Sequence, residues 1–318
     1  MRGKVDSSRS ANPELMLMAL VARKHFIGRQ SKSQIAEELY LSRFKVARLL
    51  ESAEELGIVR FSIALPGDVN LNLSRELKDR FGLKHAVVID DVDDDEAGLI
   101  GRLGSATVGL LSEVIKEGDL VGISSTRALM GLGPLTMPFP NCRFVQLTGV
   151  LSRPDAADIL DGIRKLTRQA NGTADVFYAP LVTSDVDTWK SHHDQPDLRR
   201  AFAKFPRLTV TVSGIGAWKP GLSVIYDHLP EKDREDARRA GAVAEIVGVP
   251  IDVMGNTVPG TARQKIIAPD AEVLRNVQTS IGISFDPGKA DAVRLVIASK
   301  LINSFVTHRA LAEKMLAS

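Results

Sequence analysis

The chain has 318 residues, 44% hydrophobic and 25% charged, with a formal net charge of +2. That length exceeds one ordinary domain and the composition is globular, so an extended disordered protein is excluded and two domains are expected. With charge so near balance, any nucleic-acid surface must be a local patch. The single cysteine, Cys142, excludes an internal disulfide and fits a reducing compartment.

Residues 1–12 read as a polar, disordered tail. Pro13 opens a helix, capped by Asn12, that runs to about Phe26 with Leu15, Met18, Ala19 and Ala22 on one face; Gly28 ends it. The apolar run in this helix is broken by Arg23 and Lys24, so it is neither a signal peptide nor a membrane span, and a soluble cytoplasmic protein is expected. Ser33 caps a second short helix reaching Tyr40. Leu41-Ser42 makes a turn. A third helix follows from Arg43 to about Leu56, with Val46, Leu49, Leu50 and Ala53 at buried spacing, and Gly57 stops it. Ile58 to Leu65 alternates as a strand, and Pro66-Gly67-Asp68 closes the unit.

Three helices with a tight second turn and a following strand make a winged helix-turn-helix over residues 13–66, which lays its third helix in the major groove of double-stranded DNA. Arg43, Phe44, Lys45 and Arg48 are placed to face DNA, the cations on base edges or phosphate, while Ser33 and Ser42 are placed to bond phosphates. Residues 1–60 hold eleven Lys and Arg against seven Asp and Glu, a local excess of four over a whole-chain excess of two. The competing reading is a small helical bundle used for dimerisation.

Residues 67–318 show short apolar strands alternating with amphipathic helices. Strands are expected at Ala86–Ile89, Leu120–Ile123, Phe144–Leu147, Val176–Tyr178, Thr209–Val212, Ile246–Ile251 and Gly282–Phe285. The helices are expected at Asn72–Phe81, Ile100–Lys116, from about Thr126, Ile159–Ala170, Asp291–Asn303 and Arg309–Leu316. This rhythm means a parallel sheet covered on both faces, an α/β, Rossmann-like domain. Its ligand crevice lies at the carboxyl ends of the strands. Gly122, Ser124, Ser125, Thr126 and Arg127 end one strand and open a helix there; Gly149, Gly214, Gly216, Asp252, Gly255 and Lys289 follow other strands. Hydroxyls and a carboxylate suit a carbohydrate, and Arg127 with Lys289 suits a phosphate on it.

Three features are set aside. Cys142 leads into an apolar run and reads as a buried thiol. The acidic run Asp90–Glu96 lacks the glycine and ligand spacing of a calcium loop and reads as solvated. His192-His193-Asp194 falls in what reads as a loop, Lys190 to Pro196, with no third ligand at clear spacing, so no metal is expected and no cofactor is implied.

The segment IAEELYLSRFKVARLLESAEELGIVRFSI resembles the DNA-binding end of the SorC family of bacterial sugar-responsive transcription regulators. The likeness continues through GDLVGISSTRAL, FVQLTGVL, YAPLVTSD, VSGIGAWKPGLS, RRAGAVAEIVGVPIDVMGN, GISFDPGKADAVR and LINSFVTHRALAEKML, in family order over residues 14–318. The resemblance implies an N-terminal winged helix-turn-helix joined to a C-terminal, sugar-phosphate-isomerase-like effector-binding domain. It implies a homodimer or homotetramer, a small carbohydrate effector, and a lysine at position 289 that helps hold a sugar phosphate. Phe44 and Lys45 depart from the small or hydroxyl residues more usual in the family, and Val253-Met254 from more polar ones. The alternative is an isomerase- or deaminase-like enzyme, for which Asp185, Asp227 and Asp252 are the candidate bases.

Overall fold

A computed structural model describes residues 13–59, 69–91, 95–130, 139–151 and 159–317. The chain forms two compact units, Met1–Ala64 and Leu65–Ser318.

The first unit is three helices. α1 (Pro13–Ala22) continues into one turn of π-helix, Arg23–Ile27, closed by Gly28. α2 (Lys32–Glu38) starts at Ser31, not at the expected Ser33: Ser31 Oγ accepts from Gln34 N while Ser31 N donates to Gln34 Oε1, a reciprocal cap at each end of one turn. α3 (Arg43–Glu55) starts at Ser42, whose Oγ accepts from Lys45 N. Val46, Leu49, Leu50 and Ala53 are buried as the spacing predicts. They pack on Ile35 and Ala36 and on Met18, Val21 and Ala22. Leu15 and Ala19 are exposed instead, so α1 turns a different edge inward than expected. The tail and residues 60–65 of the strand expected at Ile58–Leu65 lie outside the described residues, and Ile58 and Val59 are not in a strand.

The second unit runs α4 (Leu71–Phe81), β1 (His85–Ile89), α5 (Glu96–Val114), β2 (Leu120–Ile123), α6 (Arg127–Met130), β3 (Arg143–Gln146), α7 (Ile159–Gln169) and β4 (Thr173–Asp175). It continues through α8 (Val186–His193), α9 (Pro196–Phe202), β5 (Val210–Ala217), α10 (Val224–His228), α11 (Glu231–Arg239), β6 (Ala244–Ile246) and β7 (Val249–Ile251). It closes with α12 (Ala271–Arg275), β8 (Thr279–Ile283), α13 (Ala290–Ala298), β9 (Ser304–His308) and α14 (Arg309–Leu316).

Seven strands pair in parallel in the order β1-β9-β8-β5-β2-β3-β4. Each inner strand feeds both faces because its side chains alternate. Phe305 goes to the α13–α14 side and Val306 to the α5–α7 side. From β2 the chain steps outward through β3 and β4; from β5 it steps the other way through β8 and β9. The reversal lies between β2 and β5, and a ligand crevice opens outside such a reversal.

Two strand expectations are corrected, and one strand is added. Ile246–Ile251 is not one strand but an antiparallel hairpin, β6–β7, turned by Val247 (φ 51°) and Gly248 (φ 74°) and attached to the last residues of β5. The strand expected at Val176–Tyr178 lies three residues earlier, as β4. Ser304–His308, unassigned in the sequence, is the inner strand β9. Three of its five residues are polar, yet all are buried.

Candidate functional site

On α3 the buried seam fixes what faces outward. At about 100° per residue, Phe44 and Arg48 stand opposite that seam, one turn apart, and Arg43 and Lys45 flank them. Phe44 is 85% exposed. Lys45 reaches Glu14 only at 3.9 Å. Arg43 and Arg48 have no ion-pair partner among the described residues. Ser42 is spent as a cap and Ser33 is exposed on α2. Just before this helix, Tyr40 is 96% exposed and holds φ 53°, a left-handed backbone that a bulky side chain adopts at a cost.

In the second unit the reversal between β2 and β5 brings together part of the predicted set. Ser124 N donates to Val212 O and Ser125 N to Thr148 Oγ1. Thr126 is buried against Gly214, where an added Cβ would sit 3.6 Å from the threonine Oγ1. Lys289 Nζ donates to the Ile215 carbonyl at 3.2 Å. Beneath it Glu245, 5% exposed, accepts from Ser223 Oγ at 2.9 Å and from Gly248 N at 3.0 Å. Burial pushes the Glu245 carboxyl up and the Lys289 ammonium down, each opposed by the charge of the other.

Three glycines answer to packing. A Cβ at Gly122 would strike Leu147, one at Gly149 the Pro180 carbonyl, and one at Gly216 the Glu245 carboxylate. Asp252 and Gly255 leave the set altogether. Asp252 closes the turn after β7, accepting from Met254 N, Asn256 N and Asn256 Nδ2, and the Asn256 N–H above all holds its pKa down. Gly255 lies against Leu295, Ala298 and Ser299, the far end of the helix that Lys289 begins.

Next to this cluster is an open cavity of about 520 Å³ lined by Asp91, Asp95, Glu96, Leu99, Arg102, Arg127, Gly221, Phe285, Asp286, Pro287 and His308. Arg127 donates to Glu96 at 2.5 Å and its guanidinium lies 4.6 Å above the Phe285 ring. His308 Nε2 sits 3.8 Å from Asp91, its Nδ1 is buried without a partner, and burial holds its pKa below the ordinary imidazole value. Behind the wall, Asp90 accepts from Asn70 Nδ2 at 2.8 Å and from Arg309 Nε at 2.9 Å, while its carbonyl accepts from Arg102.

A family model described as "Putative sugar-binding domain" matches residues 68–317. The transcriptional regulator LsrR of Klebsiella pneumoniae subsp. pneumoniae is 26% identical over 305 residues, covering 95% of this chain and 93% of its own. The sorbitol operon regulator of Klebsiella pneumoniae is 24% identical, covering 95% and 98%. The crystal structure of the full-length sorbitol operon regulator SorC from Klebsiella pneumoniae superposes with a TM-score of 0.70 at 23% identity, covering 95% of this chain and 98% of that one. The chain belongs to the SorC family.

Within this SorC-family domain, sequence reasoning found Arg127 as a cavity residue and missed the rest of the lining. Phe285 and Asp286 carried a usable signal, since the first ends the expected strand Gly282–Phe285 and the second follows it. His308 did not, because its strand was unassigned, and Glu96 was hidden in what read as a solvated acidic run. Glu245 stood just before the expected strand Ile246–Ile251 and was not singled out. The candidate catalytic aspartates are all engaged in local structure. Asp185 caps α8, and the Thr188 N–H leads the bonds that lower its pKa to about 2. Asp227 accepts from Gly221 N, and Asp252 closes its turn. Neither Asp185, Asp227 nor Asp252 lines the cavity. His192 and His193 lie on α8, not in a loop, and the described residues contain no cluster of metal-ligating side chains. Cys142 is buried, and desolvation pushes its thiol to about 11. No helix among the described residues is long and apolar enough to cross a membrane.

Proposed function

We propose that the protein is a cytoplasmic transcription regulator whose operator binding is set by a small carbohydrate. The observation that carries this reading is the pairing, in one chain, of an exposed cationic and aromatic helix face on a helix-turn-helix with a SorC-family sugar-binding domain. In this reading α3 enters the major groove, Arg43 and Arg48 reach base edges or phosphate, and Phe44 meets the methyl of thymine. The carbohydrate occupies the crevice at the β2–β5 reversal. Domains of residues 13–66 and 67–318 divide reading from sensing. A homodimer or homotetramer supplies two reading heads, because half-sites one helical turn apart need paired heads. No catalytic step is assigned.

The test is to select genomic DNA fragments with the full-length protein, then titrate the recovered fragment in a mobility-shift assay with and without a panel of sugars, polyols and their phosphate esters. One specific fragment, with affinity changed by one carbohydrate class, supports the reading. Failure to enrich any fragment overturns it.

A further inference from the structure

The cavity is lined by four carboxylates, Asp91, Asp95, Glu96 and Asp286, against two guanidiniums, Arg102 and Arg127. Both guanidiniums are engaged. Arg127 is held by Glu96 and by the Phe285 face, and Arg102 donates to the Asp90 carbonyl at 2.8 Å. Lys289, the other cation expected to hold a phosphate, is not on the lining and donates a hydrogen bond to the Ile215 carbonyl. The remaining basic group is His308. It is 6% exposed with an unpartnered Nδ1, and burial leaves it neutral at pH 7. The lining therefore carries two more negative charges than positive.

A phosphate monoester entering this open space meets a net excess of like charge on the walls. A polyhydroxylated guest meets the opposite situation. Ionised carboxylates only accept hydrogen bonds, and hydroxyls donate them; the neutral imidazole adds one donor or one acceptor. Phe285, Leu99 and Pro287 supply the apolar surface against which a carbon skeleton packs. The volume, about 520 Å³, suits a small molecule.

We propose that this cavity binds an uncharged sugar or polyol and discriminates against the phosphate ester of the same compound. The proposal rests on the carbohydrate-sensor reading and reverses the expectation of a phosphate held by Arg127 and Lys289.

The test is calorimetric titration of the full-length protein with D-sorbitol, D-mannitol, ribitol, D-fructose and D-ribose, each beside its terminal phosphate monoester. The expected result is at least one free compound bound tenfold or more tighter than its ester. That ratio should fall towards one in 1 M salt, where the screening length is about 3 Å. It should also narrow in the double variant Asp91→Asn, Glu96→Gln, which removes two negative charges and releases Arg127; both positions are solvent-facing, so the fold is retained. An ester bound as tightly as its parent, or tighter, overturns the proposal and leaves the sensor reading standing. A preference unmoved by salt and by the double variant overturns the charge argument. No binding by any compound of either series overturns both the proposal and the sensor reading.

Discussion

Arg43 and Arg48 on α3 stand in solvent with no ion-pair partner among the described residues. Around the cavity each cation is already held: Arg127 by Glu96, Arg102 by a backbone carbonyl, Lys289 by another. Unengaged cations on a convex helix suit an external polyanion, because binding then releases counterions without first breaking a bond. Engaged cations in a concavity serve to fix its walls. The same residue type thus does two jobs, and its partners, not its identity, tell which.

Four substitutions break or sharpen this contrast. The largest effect is expected for Leu49→Ala. Leu49 is 2% exposed in a nine-residue core, and deleting a buried leucine costs about 2–5 kcal/mol. Scanning calorimetry should show a low-temperature transition for the first unit split from that of the second. Next is Lys289→Met, which orphans the Ile215 carbonyl and leaves Glu245 buried without its cation. Urea unfolding should show a loss of about 1–3 kcal/mol in the second unit, whereas a surface phosphate-binding lysine would show almost none. Arg43→Ala should do the reverse: stability within about 0.5 kcal/mol of wild type, with specific DNA affinity lower by about 1–3 kcal/mol, measured by mobility shift at fixed salt. The smallest effect on stability is expected for Tyr40→Asn, since asparagine tolerates the left-handed backbone that tyrosine holds at φ 53°. Melting of the first unit should be unchanged or slightly raised. A simultaneous fall in DNA affinity would mark Tyr40 as a contact residue.

Acid provides a further probe of the cavity wall. Burial lowers the His308 pKa in the folded state below its ordinary 6.5, so below that pH the unfolded chain binds more protons and stability falls as pH drops. His308→Gln should flatten the decline in melting temperature between pH 7 and pH 5.5.

The parts legible in the sequence were those where burial repeats with a period. The α3 seam was legible, as were the body of α5 and the strand β2. What stayed illegible was where burial ignores polarity. β9 carries Ser304, Thr307 and His308 inward because its neighbours β1 and β8 satisfy its backbone on both sides, a condition set by residues more than two hundred positions away in the case of β1. The β6–β7 hairpin was hidden because Val247 occupies a left-handed turn that its sequence does not advertise. At the site, Ser124, Ser125 and Thr126 were seen as ligand hydroxyls, but Ser124 and Thr126 are buried in strand and helix-start packing. The acidic groups that do line the cavity read as loop, because sequence shows charge without showing concavity.

Asp90 carries a consequence of its own. It is bonded to Asn70, at the point where the chain enters the α/β unit; to Arg309, the first residue of the last helix; and through its carbonyl to Arg102 on the cavity wall. Its neighbour in sequence, Asp91, lines the cavity. The first helix of the α/β unit, its last helix and the cavity wall are thus joined through one residue. Asp90→Asn weakens the two side-chain attachments at once, and the melting temperature of the second unit should fall.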